Sequence, residues 1–174
     1  MKNGTIIQHH YSKGDHWLSN KVQEMIVKVQ DGSDEVHSQV YLDGYVWEFT
    51  PNGGAKKTAE ADFNFKTKYS YLNPIKEMTS EEVFAMGCWW KDQLGEDRPY
   101  NYLKLFTCLA LADTKSFWNK LGHTPFSNEI FGDFCSAGVD DGFKFIGWDL
   151  LPNQIEELTS CADLNKSAFH KLEV

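Results

Sequence analysis

The stretch "EVHSQVYLDGYVWEFT" (Glu35–Thr50) decides the fold, because it reads as two β-strands joined by a two-residue turn. Asp43-Gly44 is a strong hairpin signal, since a type I′ turn needs positive φ at both central residues. With that turn Leu42 pairs with Tyr45, Gln39 falls opposite Glu48, and His37 falls opposite Thr50. Side chains alternate between faces, so Val36, Val40, Leu42, Trp47 and Phe49 line one side, the expected core. His37, Gln39, Glu48 and Thr50 share the other, where His37 and Glu48 become diagonal cross-strand neighbours.

Working outward, "DFNFKTKYSYL" (62–72) alternates, with Phe63, Phe65, Tyr69 and Tyr71 on one side, and predicts a strand. "PNGG" (51–54) is expected to close the hairpin. Upstream, "HWLSNKVQEMIVKVQ" (16–30) carries Leu18, Val22, Met25, Ile26 and Val29 at helical spacing, with Asp15 as a cap. "TSEEVFAMGCWWKDQLG" (79–95) opens like a capping box and presents Val83, Gly87, Trp90 and Leu94 as a stripe. After a turn at "EDRPY", "NYLKLFTCLALAD" (101–113) predicts another helix carrying Leu103, Phe106 and Leu109. "TKSFWNKLGHTPFSNE" (114–129) reads as a short amphipathic piece and a loop, and Pro152 suits the start of a short helix. The tail after Ser160 carries no readable signal. A hairpin, a further strand and several helices together predict an α+β fold in a single domain, residues 1–174.

Composition bounds the function classes. The net charge of −8 repels nucleic acid and anionic membranes, and there is no Lys/Arg cluster to override it, so neither is expected as a partner. No apolar run reaches the ~20 residues of a membrane helix, and the N-terminal stretch lacks a secretion signal's apolar core, so a cytoplasmic protein is expected. Cys88, Cys108, Cys135 and Cys161 are too widely spaced for a zinc site or a disulfide scaffold and are read as free thiols. His9, His10 and His16 beside Asp15 are read as a solvated N-terminus rather than a metal site, and no cofactor is expected.

Two places carry chemistry. The His37–Glu48 pair is the arrangement a catalytic histidine needs: the carboxylate fixes one ring nitrogen, leaving the other to take a proton. The same pair is also what chance polar neighbours on a half-exposed hairpin look like. In "GDFCSAGVDDGFKFIG" (132–147), Asp133 can cap a helix whose first turn holds Cys135, followed by the small residues Ser136, Ala137 and Gly138. Unpaired N–H groups there favour a thiolate and can receive an oxyanion. A small buried hydrophobe is the other reading of Cys135; it fits Cys108, inside an apolar helix, better than the polar surroundings of Asp133, Asp140 and Asp141.

"SNKVQEMIVKVQDGSDEVHSQVYLDGYVWEFTPNGG" (19–54) resembles the first half of the circularly permuted NlpC-like, papain-like thiol hydrolases. "RPYNYLKLF" (98–106), "DFCSAGV" (133–139) and "LLPNQIEEL" (150–158) resemble that family's later segments, in order, over roughly residues 14–160. The resemblance implies a permuted papain-like fold, a small antiparallel sheet packed against helices that include the nucleophile helix. It implies Cys135 as nucleophile, His37 as general base and Glu48 as its orienter, with Tyr100, Tyr102 and Ser136 near the oxyanion or substrate. The expected activity is cleavage of an amide or ester in a peptide, peptidoglycan-like or acylated substrate. Acyl transfer, or an inactive binding module or inhibitor with a protein partner, are the alternatives.

Overall fold

A computed structural model describes residues 1–11, 20–30, 33–51, 53–65, 68–94, 100–121, 123–124, 133–155 and 158–173. Among these, six strands form one antiparallel sheet: β1 (Thr5–His10), β2 (Glu35–Leu42), β3 (Tyr45–Thr50), β4 (Gly54–Ala59), β5 (Tyr69–Pro74) and β6 (His170–Glu173), in the order β4-β3-β2-β1-β5-β6. Six α-helices accompany it: α1 (Asn20–Val29), α2 (Ser80–Gln93), α3 (Tyr102–Ala110), α4 (Lys115–Leu121), α5 (Cys135–Phe145) and α6 (Cys161–Leu164). The architecture is α+β.

The hairpin has the expected register, with Leu42 paired to Tyr45, Tyr41 to Val46 and Val40 to Trp47. Asp43 and Gly44 take φ values of 50° and 78°, as a type I′ turn requires. Val36, Val40, Leu42, Trp47 and Phe49 join Ile6 and Leu72 in the main core, under α5, α6 and α1, with α2 packed against α5. The opposite face is covered too: Ile7, Tyr41 and Val46 lie beneath Phe63, Tyr69 and Tyr71. β2 is therefore buried along its whole length, His37 included.

Several expectations change. The N-terminus is not a solvated tail: β1 occupies the sheet interior between β2 and β5, and His9 is buried against the Tyr69 ring at 5.1 Å. His16, and the predicted helix cap Asp15, lie outside the described residues, as does most of the expected turn at 96–100. The "PNGG" segment leads into a second hairpin, since Gly54 begins β4, a lysine-bearing edge strand of low β-propensity. The strand expected from residue 62 begins only at Tyr69, after a short 3-10 turn at Glu60–Asp62. Thr79 and Glu82 form the predicted capping box of α2, but Leu94 is exposed while Met86 and Trp90 carry the buried stripe. In α3 the buried side is Leu105, Cys108 and Leu109; Leu103 and Phe106 face outward. Pro152 sits in a turn with Asn153 at φ 69°, not in a helix. The tail forms α6 and β6, whose start Ser160 announces by a capping box with Asp163. No helix among the described residues is long and apolar enough to cross a membrane.

Candidate functional site

The β2–β3 ladder stops at Val40 and Trp47, although β2 reaches back to Glu35 and β3 runs on to Thr50. Beyond that point the start of α5 lies against the fork, and the Ser38 N–H donates to the Cys135 sulfur. Gly138 permits this approach: a Cβ there would fall 2.3 Å from two ring carbons of Phe49, which is fully buried against Trp90. The helix thus reaches the sheet with its first residue, Cys135, directed at the strand that carries His37.

His37 Nε2 and Glu48 Oε2 are 2.7 Å apart, and the same carboxylate oxygen accepts from Gln39 Nε2 at 2.7 Å. All three side chains are buried. His37 also interacts with the Cys135 sulfur, through charge and a side-chain hydrogen bond. Burial opposes charge on His37, but the negative sulfur of Cys135, its hydrogen bond and Glu48 outweigh it and raise the imidazole to about 9. Glu48 is held below the usual carboxylate range; burial would raise it, and the His37 and Gln39 hydrogen bonds prevail.

The Cys135 thiol is held well below the ordinary thiol range. The first cause is the S–H of Cys161, donated across 3.9 Å. Against burial, the charge and hydrogen bond of His37 and the Ser38 N–H add to it. Cys161 moves the other way, raised by that hydrogen bond and by burial. These shifts favour a thiolate on Cys135 beside an imidazolium on His37, with the Cys161 sulfur 3.9 Å away.

The other predicted residues divide. Tyr100 is buried and its hydroxyl reaches the Cys135 sulfur; burial and then the Cys135 charge push the phenol well above its usual value, so it stays a hydrogen-bond donor. Tyr102 is exposed; its ring packs edge-on against Tyr100 at 5.0 Å and its hydroxyl donates to the Pro51 carbonyl at 3.4 Å. Ser136 donates to the Thr159 carbonyl at 2.7 Å, which ties the loop before α6 to α5 and removes the hydroxyl from an oxyanion role. Asp133 does not cap α5. It pairs with Lys104 Nζ at 2.7 Å, the N-cap is Phe134, and no side-chain cap bond covers that helix start among the described residues.

Cys135 is also more buried than its neighbourhood implies, at 3% exposure. The acidic residues around it mislead because they too are internal: Asp133 is matched by Lys104, and Asp140 accepts from Thr159. The sulfur nonetheless lines a cavity of about 160 Å³ together with Cys161, Ile26, Val36, Leu105 and Phe134. Space of that order admits several waters or a small organic group. His37 and Glu48 also border a larger polar depression, about 570 Å³, shared with His9, Gln39, Lys56 and Tyr69.

Sequence reasoning missed Cys161, and its helix cap Ser160–Asp163 was the available signal. Among the described residues, His10, Asp34 and Glu35 bring one ligand atom each within 4.8 Å of one another. Those atoms are already hydrogen-bonded to each other, to Ser70, to Ser33 and to Asn165, which leaves little donor capacity for an ion. Searches of protein-family models, of curated proteins and of solved structures return no match to the chain.

Proposed function

We propose that this chain is a cysteine hydrolase of amide or ester bonds, of the permuted papain-like kind its motifs resemble. The observation that carries the reading is the alignment of Glu48, His37 and the Cys135 sulfur at the start of α5, with the carboxylate on Nε2 at 2.7 Å and the sulfur tied to the same imidazole by charge and a hydrogen bond.

The chemistry follows from those positions. The Cys135 thiolate attacks a carbonyl carbon presented in the cavity, forming a tetrahedral intermediate. Its oxyanion is received by N–H groups at the start of α5, with the Tyr100 hydroxyl as a second donor close to the sulfur. The His37 imidazolium protonates the leaving amine or alcohol, and the acyl group remains on sulfur as a thioester. Neutral His37 then draws a proton from water, whose oxygen attacks the thioester; Cys135 leaves as thiolate and His37 is again protonated. Glu48 keeps the ring oriented and stabilises its positive form throughout. The substrate class is a peptide, a peptidoglycan-like peptide or an acylated molecule. An acceptor other than water would make the same intermediate an acyl transferase.

The low exposure of the sulfur favours a second reading, a binding module retaining an unused site. Incubation with p-nitrophenyl acetate and intact-mass measurement separates them. One acetyl group on Cys135, absent from Cys135→Ala, supports the hydrolase. A chain that stays unacylated while folded and alkylatable at Cys135 supports the binding module.

A further inference from the structure

Cys161 takes no bond-making or proton-transfer step in that chemistry, yet its sulfur is 3.9 Å from the Cys135 sulfur, both residues are buried, and both line one cavity. We propose that Cys161 is a resolving cysteine: a hydroperoxide entering the cavity oxidises Cys135, and Cys161 closes a reversible disulfide upon it. This rests on the thiolate assigned to Cys135 in the hydrolase reading and adds a modification to that same site.

The geometry limits what the pair can do. A separation of 3.9 Å is contact distance, and a disulfide needs about 2.05 Å. The remaining movement falls on Cys161, the first residue of a helix of only four residues. Hydrogen peroxide is little larger than water, so a cavity of about 160 Å³ is ample for it. The third cysteine lining that cavity, Cys108, is pushed up to about 12, chiefly by burial, and so remains a thiol.

The steps balance. The Cys135 thiolate attacks one peroxide oxygen and the O–O bond breaks; Cys135 becomes a sulfenic acid, and the departing hydroxide takes the His37 proton to leave as water. Neutral His37 then accepts the Cys161 proton. The resulting thiolate attacks the Cys135 sulfur, and the sulfenic hydroxyl leaves as water with that proton. Two thiols and one peroxide give one disulfide and two waters. An external dithiol restores both cysteines by exchange and is itself oxidised. The consequence is an enzyme switched off by peroxide without permanent loss, because the disulfide forms before a second peroxide can carry the sulfenic acid to the irreversible sulfinic stage.

The test treats the full chain with a small excess of hydrogen peroxide at neutral pH, blocks remaining thiols, and reads intact mass and non-reduced peptides. The expected result is loss of two hydrogens, a Cys135–Cys161 linked peptide, and full reversal by dithiothreitol. In Cys161→Ser, and in Cys161→Ala should the serine variant fold poorly, Cys135 accumulates sulfinic acid roughly tenfold faster or more. Equal rates of sulfinic acid formation with and without Cys161, or a linked peptide joining other cysteines, overturns the proposal. If Cys135 is acylated but never linked, the resolving role fails and the hydrolase stands. If it is linked but never acylated, the hydrolase fails and the redox pair stands.

Discussion

Replacing His37 by Ala should change the slope, and not merely the size, of Cys135 reactivity against pH. In the native chain His37 is raised to about 9 and Cys135 is held well below the ordinary thiol range, so the thiolate population should change far less with pH near neutrality than that of an ordinary thiol. An ordinary thiol, with a pKa of about 8.5, is about 0.3% ionised at pH 6, and its reactivity climbs roughly tenfold per pH unit below that pKa. Restricted access to a buried sulfur lowers every rate by one factor and leaves the slope untouched. Iodoacetamide labelling followed peptide by peptide should therefore give a flat Cys135 profile from pH 6 to 8. In His37→Ala the sulfur loses its cationic partner but keeps the Cys161 and Ser38 hydrogen bonds, so labelling at pH 6 should fall, by less than the roughly 300-fold that marks an ordinary thiol, and its slope against pH should steepen; part of that fall is offset because a more basic thiolate is the better nucleophile. A native profile that already rises tenfold per unit between pH 6 and 8 refutes the ion pair.

Glu48→Gln should place Cys135 labelling at pH 6 between the native chain and His37→Ala, roughly tenfold below native, because the carboxylate acts on sulfur only through the ring; labelling as low as in His37→Ala contradicts that order. Gly138→Ala should lower stability in urea unfolding by ~1–3 kcal/mol through overpacking against Phe49, despite alanine's better helix propensity, and should slow Cys135 labelling by moving the start of α5; a more stable variant contradicts it. His170 is buried, accepts at Nδ1 from the Ser167 hydroxyl and donates Nε2–H to the Gly4 carbonyl; burial lowers it to about 4 from an ordinary 6.5. The unfolded chain binds the extra proton first, so stability is fully present above pH 6.5 and falls by about 3 kcal/mol towards pH 4, a slope that His170→Gln should remove in thermal unfolding.

What was legible in the sequence was whatever a short stretch determines by itself. Asp43-Gly44 sets a turn, the turn sets the register, and the register sets which face each neighbour takes, so His37 and Glu48 could be brought together from sixteen residues alone. The Thr79–Glu82 capping box was readable for the same reason. The failures come where a neighbour distant in sequence decides. That face, which alternation alone marks as polar, is covered at Tyr41 and Val46 by Phe63, Tyr69 and Tyr71, and Phe63 and Tyr69 also line the depression that His37 and Glu48 border. The buried side of α3 is chosen by what it packs on, so Leu103 and Phe106 read as core and lie outside. β1 and β6 are strands because β2 and β5 pair with them, and a histidine-rich end or a four-residue "HKLE" announces neither.

Cys135 shows how the two kinds of information combine. Its place at a helix start was local and readable, while the properties that matter to chemistry are assembled from three other segments: His37 and Ser38 from β2, Tyr100 ahead of α3, and Cys161 from α6. None of those contacts has a fixed sequence spacing, so no motif encodes them as a unit. What holds them is the close approach of α5 to the fork in the sheet, and that approach depends on a position with no side chain, Gly138, against a ring that cannot move, Phe49. A site built in this way should lose its reactive thiol when the helix is displaced even with His37, Glu48 and Cys135 all intact. Gly138→Ala therefore tests whether the thiolate is a property of Cys135 or of the junction that holds it: a folded variant whose Cys135 labelling keeps the native flat pH profile would show that the junction is dispensable.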